Sequence, residues 1–157
     1  VHEVANTLGR PFESVIVHDY RHWVTGDTWV DIEHEVDVIS KKMSELQPYV
    51  VFAKSIGTTI ALKAMYDRLI EPKACLFLGL PLNAITDMDL PVIEWLEAVS
   101  IPLYFLHNDN DPYGSVKELR DILPSNIDQT RVTELPGDTH DYYDTAIMSE
   151  LLTRTMT

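Results

Sequence analysis

The chain has 157 residues, enough for one domain with a substantial core, and its 45% hydrophobic content is ordinary for a globular protein. A net charge of −13 and a pI of about 4.6 argue against nucleic acid or an anionic membrane as a partner. Cys75 is the single cysteine, which leaves no disulfide framework or thiolate zinc site and suits a reducing, cytoplasmic setting. No apolar run approaches the ~20 residues of a membrane span.

Val1 to Leu8 reads as the tail of a helix, with Val4 and Leu8 on one face and Gly9-Arg10-Pro11 as its stop. Val15-Ile16-Val17 is a short apolar strand, and His18 to Asp27 a loop carrying Tyr20, His22 and Trp23. Ile32, Val36, Ile39, Met43 and Leu46 recur at helical spacing, and Pro48 ends that amphipathic helix. Val50-Val51-Phe52-Ala53 is apolar without alternation, the pattern of a strand buried on both faces of a parallel sheet. After Lys54-Ser55-Ile56-Gly57 the pattern turns helical, with Ile60, Ala61, Ala64 and Met65 on one face.

Further strands are expected at Ala74–Leu78, Leu103–Leu106 and, more weakly, Arg131–Leu135. Helices are expected from Pro91 along Val92, Leu96 and Val99, and after Ser115, which has capping-box spacing to Glu118. A last helix carries Ala146, Ile147 and Leu151. Gly79 to Pro102 has room for a single crossover helix and not for a large lid. There is no internal repeat or linker. Strands alternating with helices predict one α/β domain over residues 1–157, a mostly parallel sheet with helices on both faces.

In such a sheet, ligands bind at the carboxyl ends of the strands. Three polar groups fall there in the order Ser55, Asp111, His140. A serine hydroxyl attacks well only when a base takes its proton. An imidazole can do this, and a carboxylate on its far nitrogen fixes the tautomer and stabilises the imidazolium. A serine at the corner between a buried strand and a helix is either a plain N-cap or a nucleophile elbow, in which helix N–H groups face a developing negative charge.

The elbow Ala53-Lys54-Ser55-Ile56-Gly57, the strand end HNDNDPYGS (107–115) and the closing LPGDTHDY (135–142) each resemble the matching segment of the α/β-hydrolase superfamily, most of all its small, lidless serine hydrolases. The resemblance covers roughly residues 12–157 and departs from the written G-x-S-x-G pattern only in Ala53, which is still small. It implies Ser55 as nucleophile, Asp111 as acid, His140 as base, and the Ile56 N–H as one oxyanion-hole donor. No cofactor and no metal is implied, and the expected partner is a small acyl substrate. The oligomeric state is left open.

Asp109 is the competing acid, but an acid followed by Pro112 favours Asp111. Asp138 and Asp141 read as solvated loop charges, and Lys54 as a rim residue that could meet an anionic substrate group. His18 and His22 have a spacing that zinc sites use on helices, yet they sit in a loop without a third ligand and read as loop histidines. Tyr20, Trp23, Tyr113 and Tyr142 are candidates for the pocket, the rim or the core. The reading from a different class is a non-catalytic binding or interaction module on the same fold.

In the family, a strand ending in a His-Gly-type loop precedes the one at 15–17 and supplies a second oxyanion N–H. Val1 to Pro11 does not match it. The expectation is that the sequence begins downstream of the full N-terminus. The alternative is that Val15-Ile16-Val17 pairs directly with Val50-Val51-Phe52.

Overall fold

Cys75-Leu76-Phe77-Leu78 can bury four apolar side chains in a row only where helices cover both faces of a sheet. A computed structural model of the chain shows this arrangement, describing residues 12–46 and 48–156 together with Ala5, Asn6 and Leu8. Four strands, β1 (Val51–Lys54), β2 (Cys75–Leu78), β3 (Leu103–Asn108) and β4 (Val132–Leu135), lie side by side in sequence order. All three pairings are parallel, with Val51 opposite Cys75, Cys75 opposite Leu103 and Phe105 opposite Val132. Among the described residues seven α-helices surround this reduced sheet. They are α1 (Arg21–Thr25), α2 (Ile32–Met43), α3 (Ile56–Tyr66), α4 (Leu82–Asp87), α5 (Val92–Ala98), α6 (Val116–Ile122) and α7 (Thr145–Thr155).

The two-residue period of a strand sorts the core. Cys75 and Phe77 point into a cluster with Ala61 and Leu62 of α3, Trp95 and Leu96 of α5 and Leu119 of α6. Leu76 and Leu78 point the other way, onto Met148, Leu151 and Leu152 of α7. A third cluster joins Ile32 and Val36 of α2 to Ile60 and Ala64 of α3. The helix ends follow local chemistry. Asp31 caps α2 by accepting from the His34 N–H at 3.0 Å, and Asp144 caps α7 by accepting from the Ala146 and Ile147 N–H groups. The expected capping box of Ser115 and Glu118 forms at the start of α6.

Three expectations need correction. Val15-Ile16-Val17 forms no strand, and Val15 and Ile16 are exposed, so direct pairing with the elbow strand does not occur and, among the described residues, β1 stands at the edge of the sheet. Three isolated apolar residues without a covering layer bury too little surface to hold a strand in place. The crossover between β2 and β3 carries two short helices, α4 and α5, where one was expected; Asp89, at φ 51°, stands between them. The loop at 18–27 contains the single turn of α1, closed by Gly26 in the left-handed conformation at φ 77°. Most of the expected Val1–Leu8 helix lies outside the described residues. No helix among the described residues is long and apolar enough to cross a membrane.

Candidate active site

β1 ends at Lys54 and α3 begins at Ile56, so Ser55 makes the whole turn alone. It does so at φ 54° and ψ −131°, a conformation few residues with a side chain adopt. Neighbouring bonds hold the corner. The Ser55 N–H donates to Leu78 O at 2.9 Å, while Thr58 donates to Ser55 O from its N–H and, at 2.7 Å, from its hydroxyl. Gly57 is required two residues on, because the Tyr20 hydroxyl occupies the place a Cβ would take. Ile56 is the first residue of α3, where N–H groups have no acceptor within the helix.

Ser55 Oγ lies 2.8 Å from His140 Nε2, and His140 Nδ1 lies 2.8 Å from Asp111 Oδ2. These residues come from the ends of β1, β3 and β4 and meet only in the folded chain. The carboxylate faces Nδ1, so Nδ1 carries the proton and donates, leaving the Nε2 lone pair to accept from the serine. The Asp111 side chain is completely buried, whereas that of His140 is 16% exposed. The carboxylate also accepts from the Tyr113 N–H at 2.9 Å and from the Tyr142 hydroxyl at 2.7 Å.

Asp109, the competing acid, is used differently. Its Oδ1 accepts from the Gly137 N–H at 2.8 Å and ties the loop after β3 to the loop after β4. Lys54 does reach the rim, where it pairs with the exposed Asp141 at 3.4 Å. Asp138 is exposed, as expected. The aromatic candidates divide between roles. The Tyr113 ring packs on His140 with centroids 4.6 Å apart and is half-exposed, and Tyr142 is buried behind the imidazole. Tyr20 packs against the elbow helix, and burial together with the Glu35 charge pushes its hydroxyl pKa up to about 12. Trp23 is exposed.

His18 is not a bare loop histidine. It pairs at 2.6 Å with Glu35, a buried carboxylate that also accepts from the Arg21 N–H. His22 stacks on Tyr20. Among the described residues no group of three or more histidine, cysteine or acidic side chains could hold a metal ion.

Two residues that frame the site give little sign of it in the sequence. Gly79, just after β2, has φ 58°. A Cβ there would stand 2.8 Å from His140 Cε1 and 2.7 Å from Tyr142 Cε2, so only glycine leaves room for both rings. His107, fully buried at the end of β3, donates from Nε2 to Gly114 O at 2.6 Å, and the Gly114 N–H donates to Asp111 O. His107 thereby fastens the acid loop from beneath.

Burial lowers the His107 pKa, against the raising effects of the Gly114 carbonyl and the Asp111 charge. Below its ordinary value of 6.5 the unfolded chain takes up a proton that the folded chain refuses. The stability this residue contributes is therefore complete above that pH and is lost as the pH falls through the lower folded value. His107→Gln keeps an amide donor for Gly114 O and removes the titration. Melting curves from about pH 7.5 to about pH 5 are expected to show a shallower acid loss of Tm in this variant than in the wild type.

The sequence matches the alpha/beta hydrolase domain family over residues 27–154. The fold is similar to that of an uncharacterized protein from Bacillus cereus, with a TM-score of 0.68 at 16% identity, covering 99% of this chain and 55% of that one. It is also similar to the esterase domain of a Rhodothermus marinus protein, with a TM-score of 0.70 at 15% identity over 98% of this chain and 76% of that one. An extracellular alpha/beta-hydrolase from a Paenibacillus species gives a TM-score of 0.65 at 14% identity, over 98% and 92%. The chain thus spans about half the length of the Bacillus cereus protein. No curated protein matches the sequence. Likeness at such identities establishes the fold. The family match runs from the turn before α2 nearly to the end of α7, and by it this chain belongs to the alpha/beta hydrolases.

Proposed function

We propose that this protein is a serine hydrolase that cleaves a small ester, thioester or amide through an acyl-enzyme. The observation that carries the reading is the continuous relay from Ser55 Oγ through His140 to the buried Asp111 carboxylate, with both contacts at 2.8 Å. Ser55 Oγ bonds to the substrate carbonyl carbon as its proton passes to His140 Nε2. The oxyanion so formed meets the Ile56 N–H at the start of α3. The tetrahedral species collapses, the bond to the leaving group breaks, and the imidazolium gives that group its proton. Water then repeats the sequence on the acyl-enzyme, and Ser55 is regenerated.

The exposed edge of His140 leaves a route for substrate and water, and the Tyr113 ring above it offers a flat wall for an acyl or leaving group. The esterase named among the structural neighbours lends the reading further support. Its test is labelling with a fluorophosphonate followed by intact-mass measurement. One adduct per chain is expected, and it should map to Ser55. A chain that stays unmodified would overturn the reading in favour of a binding module on the same fold.

A further inference from the structure

Asp111 Oδ2 serves two donors. His140 Nδ1 approaches it at 2.8 Å and the Tyr142 hydroxyl at 2.7 Å. Tyr142 is 5% exposed, and its oxygen is fixed from the other side by the Asn108 N–H at 3.2 Å, so the hydroxyl hydrogen is committed to the carboxylate. The ring stands edge-on to His140, in the space that Gly79 leaves open. Burial drives the phenol pKa well upward, with the hydrogen bond and charge of Asp111 adding to it, so Tyr142 stays a neutral donor through the working pH range.

We infer that Tyr142 is a positioning residue that sets the basicity of His140 by sharing the Asp111 carboxylate oxygen with it. A carboxylate oxygen divides its charge among its donors, and each donor weakens the hold on the next. With the phenol in place, Asp111 orients the imidazole and draws on its Nδ1 proton less strongly. Without it, the whole charge of Oδ2 turns to the imidazole and the imidazolium becomes harder to deprotonate. The other charged or titratable groups around the dyad are His107 behind Asp111, Tyr113 on the open side of His140, and the Lys54–Asp141 pair at the rim. None of these hydrogen-bonds to Oδ2.

The inference rests on the proposed triad, and its test separates the two. In Tyr142→Phe, which keeps the ring, the labelling rate on the acid limb is expected to fall about threefold, the loss that a rise of half a pH unit in that limb carries. The acid limb of the pH–rate profile should move up by roughly half a pH unit. Replacing Tyr142 with 3-fluorotyrosine, a stronger donor, should move that limb down. The His140 Nδ1 proton resonance, read by NMR without any turnover, should shift downfield in Tyr142→Phe.

A slower Tyr142→Phe enzyme whose acid limb and Nδ1 resonance match the wild type would reduce Tyr142 to a packing residue and overturn the proposal. A wild type that fails to label, combined with a shifted resonance in the variant, would refute the serine-hydrolase reading while supporting the control of His140 by Tyr142.

Discussion

Ser55→Ala is expected to lower turnover of an activated ester by about 10⁵- to 10⁶-fold and to abolish the fluorophosphonate adduct, because no other hydroxyl stands on His140 Nε2. The fold should survive. The side-chain oxygen makes its one contact with the imidazole, and the bonds that hold the corner run through the Ser55 backbone. Ser55→Gly makes the complementary point. A residue with a Cβ at φ 54° and ψ −131° stores on the order of 1–3 kcal/mol of strain, and glycine relieves it. The glycine variant should be inactive and melt no lower than the alanine variant. A Ser55→Ala protein that retained more than about a hundredth of the wild-type rate would remove Ser55 from the mechanism.

Asp111→Asn should cost about 10³- to 10⁴-fold in kcat/KM and lower the melting temperature, because the buried Tyr142 hydroxyl loses its charged acceptor. Geometry sets the reason. The Tyr113 N–H donates to Oδ1 and, being backbone, cannot turn away, so an asparagine keeps its oxygen there, its NH2 group takes the Oδ2 position facing His140 Nδ1, and the Tyr142 hydroxyl that donates to Oδ2 must turn aside. An amide hydrogen in that place forces Nδ1 to accept. The ring proton then sits on Nε2, where it points at Ser55 and cannot receive the serine proton. The side chain is wholly buried, so water cannot repair the fault.

Asp109→Asn provides the contrast. Its acceptor role toward the Gly137 N–H is one an amide oxygen can fill, and steady-state kinetics should show a change within about threefold. If Asp109→Asn proved the more damaging change, the assignment of the acid would have to move.

The local signals in this chain were strong where one short stretch carried the whole requirement. The apolar run ending at Ala53, the small residues Ala53 and Gly57 around Ser55, and the Ser115–Glu118 capping box each announced their structure, because strand burial, close approach and capping depend on neighbours a few residues apart. Alternation of strands with helices was enough for a parallel sheet. The short elements misled. Val15-Ile16-Val17 has strand composition but no layer to cover it, and α4 spans six residues, too few for a periodic stripe to stand out.

The residue types and order of Ser55, Asp111 and His140 could be read from the sequence alone, because the chain must deliver each to the end of a strand. Which carboxylate meets the imidazole was settled only in three dimensions. Asp109 and Asp111 are two residues apart on one loop, and the turn of that loop sends one into the interior and the other to Gly137. The same holds for Gly79, His107 and Tyr142. They matter through what stands opposite them from other strands and loops, and contacts between residues distant in sequence leave no periodic trace in it.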